Sequence, residues 1–190
     1  MGENMETRIR FFSIWIGGEI PEVVKHCFEK NKYLPGFFII SDRKIPGFKT
    51  RSYKKIKEEI DKSLYAEIWK KSFERIYESK GYTILTAIAD FVRFYICATR
   101  KNICYIDADA VYYKEQDLVP GIPSFAEHGN RVDICVMYNG GNRSFFKNFL
   151  IQTSKYPRER GLFCGWLNKM VNPEWYGIIT YDNFTHEGEL

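Results

Sequence analysis

The chain has 190 residues, 28 basic against 24 acidic side chains for a net charge of +4, and 45% hydrophobic and 17% aromatic residues. This composition excludes a disordered chain, and the length suits a single compact domain over 1–190. The mild basic excess is compatible with anionic ligands such as nucleotides and does not demand them.

Five cysteines at 27, 97, 104, 135 and 164 are odd in number, widely spaced and free of any CxxC pair. They read as reduced core thiols of a cytoplasmic protein, and the same spacing argues against zinc. The opening MGENMETRIRFF lacks the apolar stretch of a signal peptide, and Glu6 breaks the myristoylation pattern. With no apolar run of spanning length, no membrane span is expected.

Taken in order, Arg10 to Ile16 (RFFSIWI) predicts a first strand, broken by Gly17-Gly18. Pro21 opens a short amphipathic helix over Glu22 to Lys32, and Phe37 to Ser41 predicts a second strand. Strand, crossover helix and strand announce an α/β sheet. Residues 42–57 form a polar connection rich in Arg43, Lys44, Lys49, Arg51, Lys54, Lys55 and Lys57. It reads either as a solvated loop or as a patch for a phosphate-bearing partner.

Lys55 to Ser79 predicts one or two helices, with Ile56, Ile60, Leu64, Ile68 and Trp69 at helical spacing. Thr83 to Thr99 is a helix apolar nearly all round, hence buried. Val132 to Tyr138 (VDICVMY) is a strand ending in the turn Asn139-Gly140-Gly141, where Asn139 could also line an acceptor site. Phe145 to Thr153 is apolar without a clear period. Gly161 to Val171 predicts a helix and Tyr176 to Tyr181 a last strand, followed by the tail 182–190.

The most informative stretch is Ile103 to Tyr112, ICYIDADAVY. A short run of β-branched and aromatic residues delivers Asp107 and Asp109 at its end. Side chains at i and i+2 of a strand share a face, so the two carboxylates are expected side by side. Their repulsion calls for a cation, and hard oxygen ligands suit Mg²⁺ or Mn²⁺ carrying a phosphate. Upstream, Asp90 and Arg93 interrupt the buried helix three residues apart. They are either a surface ion pair or a buried pair with a partner or ligand.

IWIGGEIPE at 14–22, ADFVRFY at 89–95 and CYIDADAVY at 104–112 occur in this order. Together these blocks resemble the glycosyltransferases with a DXD motif in their sugar-binding region, which include bacterial and phage sugar transferases and the glucosyltransferase domains of large toxins. The resemblance covers roughly residues 10–115. It implies an α/β fold of GT-A type, a Rossmann-like sandwich with a mostly parallel central sheet. It further implies a nucleoside-diphosphate sugar donor, a hydroxyl acceptor (glycan, protein or a modified base of DNA) and a retaining outcome. By position, Asp107 and Asp109 would hold Mn²⁺ or Mg²⁺ and the diphosphate. Asp90 and Arg93 would contact the sugar, with Asp90, Arg93 and Asp109 as catalytic residues. Ile14 and Trp15 would bind the donor, Trp15 stacking on the base, although core packing explains that indole equally well.

The chain departs from the pattern at Lys101-Asn102, where two glycines are usual, and in its C-terminal part, where His186 is the candidate third metal ligand. Two rivals remain. A haloacid dehalogenase-like phosphatase would use Asp107 as nucleophile, and an inactive module would bind a sugar or a partner. An EF-hand is excluded, because Tyr112 and Leu118 stand where Gly and Glu are required.

Overall fold

A computed structural model of the chain describes residues 8–74, 84–113, 118–128, 131–153, 177–179 and 184–186. The helix expected over Gly161 to Val171 lies outside them.

The first strand, β1 (Arg10–Trp15), has its four inner residues buried, as a strand covered on both faces requires. It is followed by α1 (Glu22–Asn31), β2 (Phe38–Ser41) and β3 (Thr50–Ser52). Two helices follow, α2 (Tyr53–Asp61) and α3 (Ala66–Glu74). Ser63 separates them: its hydroxyl donates to the Ile60 carbonyl and accepts from the Tyr65 N–H. The buried helix is α4 (Ile84–Thr99), leading into β4 (Ile103–Ile106). Next come β5 (Ala110–Tyr112), β6 (Ser124–His128), β7 (Arg131–Tyr138), α5 (Arg143–Thr153), β8 (Gly177–Ile179) and β9 (Phe184–His186).

The described strands form a seven-stranded sheet in the order β3-β2-β1-β4-β7-β6-β8 and a two-stranded sheet of β5 and β9. In the large sheet only β7 runs against the rest, so the sheet is mostly parallel, as expected. Two apolar layers cover it. Phe12, Ile14, Phe38 and Tyr105 face the layer of α2 to α5, where Phe94 stacks on Phe149 at 4.5 Å and Trp69 meets Phe91 edge-on at 4.9 Å. Phe11, Ile39, Cys104 and Ile106 face the layer of α1 and β5.

Asn139 has a different place from the one suggested by its position after a strand. It is fully buried. Its amide donates to the carbonyls of Cys97 at 2.9 Å and Arg100 at 2.7 Å, and its Oδ1 accepts from the N–H groups of Ile103 and Gly141, each at 3.0 Å. All its hydrogen-bonding groups tie α4, β4 and its own turn together, which leaves nothing to offer an acceptor. Among the described residues, no helix is long and apolar enough to cross a membrane.

Candidate functional site

A cleft of about 410 Å³ opens at the C-terminal ends of β1 and β4. Parallel strands put such crevices at their carboxyl ends, where the chain leaves neighbouring strands in different directions. Three segments distant in sequence line it: Ile14 to Gly18, the first turns of α4 with Arg93, and Tyr105 with Asp107 to Asp109.

Asp107 and Asp109 do share the cleft, by a route other than the pleat. The chain leaves the strand after Ile106 and turns, with the Ala110 N–H donating to the Asp107 carbonyl at 3.1 Å. The Asp107 N–H still reaches across to the Cys135 carbonyl at 2.7 Å, anchoring the turn to β7. The turn, and not strand alternation, presents both carboxylates.

The pair on α4 is not a surface pair: Asp90 is 4% and Arg93 6% exposed. The Arg93 guanidinium lies 3.0 Å from Asp90 Oδ1 and 3.2 Å from Asp107 Oδ1, and donates to the Ile134 carbonyl at 3.1 Å. It also sits over the Tyr105 ring, 4.3 Å from its centroid. The Tyr105 hydroxyl donates to Asp107 Oδ1 at 2.5 Å. Burial pushes the Tyr105 phenol well above its ordinary pKa; Arg93 opposes this, while the Asp107 carboxylate adds to it. The phenol therefore stays a donor. Asp90 lies behind Arg93 and does not itself line the cleft.

Tyr105 reads in the sequence as one more core aromatic, yet it stands two residues before Asp107 on the strand face that meets α4. Asp42, just after β2, carries no signal of a site in the sequence either. Its Oδ2 accepts from the Gly17 N–H at 3.2 Å, and the Arg43 guanidinium holds its carboxyl below the ordinary value. Gly17 has φ +82°, and a Cβ there would lie 2.8 Å from Leu85 Cδ1 at the cleft mouth. The left-handed backbone favours glycine here, whereas the exposed Leu85 side chain could move aside.

Ile14 is buried and Trp15 half-buried, and both line the cleft. Trp15 also packs against the α1 layer, with its Nε1 buried and without a hydrogen-bond partner among the described residues. His186 lies on β9, whose register sets it opposite Ala110, the residue after Asp109.

Of the basic stretch 43–57, Arg43 pairs with Asp42, Arg51 lies over Phe38 and Lys57 pairs with Asp61. Lys44, Lys49, Lys54 and Lys55 are exposed. That distribution suits a solvated face with several internal pairings.

Among the described residues no group of three or more His, Cys, Asp or Glu side chains forms a ready cage for a metal. Asp107 and Asp109 nevertheless fit Mg²⁺ or Mn²⁺, which are commonly bound by one or two carboxylates and completed by water and substrate phosphate. Arg93 pairs with both Asp90 and Asp107, and Asp109 lines the same cleft.

No family model and no curated protein matches the chain. Among solved structures, the PaToxG glycosyltransferase is similar with a TM-score of 0.54 and 16% identity, over 86% of this chain and 70% of that one. The apo-form glycosyltransferase GlyE of Streptococcus pneumoniae TIGR4 gives a TM-score of 0.48 and 16% identity, over 91% of this chain and 45% of its own length. With the sheet order above, the likeness to PaToxG establishes the fold as a mixed, mostly parallel α/β sandwich of GT-A type.

Proposed function

We propose that the chain is a glycosyltransferase that moves a sugar from a nucleoside-diphosphate donor to a hydroxyl acceptor. The observation that carries this reading is the convergence of the three sequence blocks on one cleft: the end of β1, Arg93 of α4 and the Asp107–Asp109 turn. The fold shared with PaToxG supports it.

In this reading Asp107 and Asp109 hold a divalent cation, with His186 a candidate third ligand. When bound, the cation neutralises charge on the departing nucleoside diphosphate. Arg93 and Tyr105 fix the Asp107 carboxylate, and Arg93 faces the donor. Asp90 keeps the guanidinium oriented. Trp15 and Ile14 form the apolar wall for the base. The family resemblance favours retention at the anomeric carbon, and the acceptor class is a glycan, a protein or a modified DNA base. The four described cysteines are buried, and a cytoplasmic setting belongs to the proposal.

Thermal unfolding in the presence of a panel of nucleotide-sugars, with and without Mn²⁺, tests the reading. One donor is expected to raise the midpoint only with Mn²⁺, by about 2.7 kcal/mol of stabilisation at a hundredfold excess over Kd. Asp109→Asn, which removes charge and little volume, should abolish that shift without lowering the unliganded midpoint. A shift that survives in Asp109→Asn, or no shift with any donor, would sink the proposal.

A further inference from the structure

The carboxylate turn runs directly into β5, and one edge of β5 is held by side chains. Asn31, the last residue of α1, is fully buried. Its Nδ2 donates to the Ala110 carbonyl at 2.8 Å, and its Oδ1 accepts from the Tyr112 N–H at 3.0 Å. Those are the two bonds a neighbouring strand would make to residues i and i+2. Nearby, the Tyr33 hydroxyl donates to the Tyr112 carbonyl at 2.5 Å. The other neighbour of β5 is β9, in the register Ala110↔His186. A buried amide satisfied by one short strand fixes that strand in place, because releasing it would orphan two peptide groups and the amide together.

We infer that Asn31 is a positioning residue for the candidate cation site: it acts as a surrogate strand that fixes β5, and through Ala110 fixes Asp109 and the register of β9. The inference deepens the proposed function, because it rests on Asp107 and Asp109 as the cation ligands. Partners that orient metal ligands from behind commonly change affinity by about 10–100-fold when removed.

The test compares Asn31→Ala with Phe28→Leu. Phe28 is buried on the same helix, where it packs on Phe37 and Phe48 without a bond to β5. Amide hydrogen exchange at Ala110 and Tyr112 is measured in both variants, together with Mn²⁺ affinity by titration, at a temperature where both are folded. Asn31→Ala should speed exchange at Tyr112 by about tenfold, the equivalent of one lost hydrogen bond, and weaken Mn²⁺ binding by about tenfold or more. Phe28→Leu should do neither. Equal effects in the two variants, or unchanged exchange in Asn31→Ala, would overturn the inference and leave Asn31 an ordinary core residue. If the wild type itself shows no affinity for Mn²⁺ while exchange at Tyr112 responds only to Asn31→Ala, the cation reading fails and the clamp on β5 stands. Should Asn31→Ala not fold, Asn31→Asp replaces it. That variant keeps the acceptor for Tyr112 and sets an oxygen against the Ala110 carbonyl, so Mn²⁺ binding should weaken in the same direction while exchange at Tyr112 changes less than in Asn31→Ala; unchanged Mn²⁺ affinity would overturn the inference.

Discussion

Arg93 serves the core and the cleft at once, so its removal has two separable effects. Arg93→Ala would leave Asp90 buried with its cation gone, a situation that costs about 3–5 kcal/mol. Lysine should recover little of this, since an ammonium cannot reach two carboxylates and lie flat on the Tyr105 ring. Urea denaturation at constant m-value checks both variants. A loss below about 1 kcal/mol in Arg93→Ala would contradict the buried geometry. Donor binding by this variant must be measured where it is folded, because lost stability alone does not argue against a role in the cleft.

At the scale of elements, the turn between β7 and α5 is tightly constrained. Gly140 has φ +58°, and a Cβ on it would fall 2.4 Å from the backbone carbonyl carbon of Ile122. Gly18 has φ +46° with nothing within 4 Å. Gly140→Ala should therefore lower stability by more than about 3 kcal/mol, combining a left-handed backbone with a clash that backbone cannot yield to. Gly18→Ala should cost only the conformational part, about 1 kcal/mol. Thermal unfolding of the two variants gives the ranking, and the reverse order would refute it.

The elements that sequence revealed are those whose own residues carry the signal. The inner residues of β1, β2 and β4 are buried on both faces, and α4 is apolar all round, so each reads directly as an apolar run. The elements it concealed owe their structure to partners. Thr50-Arg51-Ser52 becomes β3 by pairing with β2, and β5 exists between Asn31 and β9. Within α5, Phe146, Phe149 and Leu150 are buried at helical spacing, but neighbouring Phe145 and Ile151 blur the period. The site divides in the same way. Asp107, Asp109 and Arg93 are legible because charge in an apolar run demands an explanation. Tyr105 and Asn31 look like ordinary core and cap residues until the fold brings them to the turn.

For the molecule as a whole, two phenols, the half-buried Tyr53 and the buried Tyr138, set an alkaline limit on stability. Burial, aided by Asp61, pushes Tyr53 up to about 12, and burial with Cys104 does the same for Tyr138. A raised pKa means that the fold favours the neutral phenol. This contribution is complete below the ordinary value of 10.0 and is lost as pH rises through about 12. The unfolding midpoint should hold up to about pH 10 and then fall, with tyrosinate absorbance rising together with unfolding. Absorbance that rises fully near pH 10 while the fold persists would show these phenols to be solvated.

The strand order has a consequence for how the chain comes to be folded. β1 lies inside the sheet, with β2 on one side and β4 on the other, and Arg10 must wait for Ile103 before its second neighbour exists. During synthesis, Phe11 to Trp15 emerges with half its sheet still unmade, and the helix that covers one face, α4, arrives only just before β4. Pairings so distant along the chain form slowly and leave apolar strand edges open in the meantime. A nascent chain stopped before residue 103 would display the unpaired flank of β1, making the interval between those two strands the period in which this protein most needs protection from aggregation.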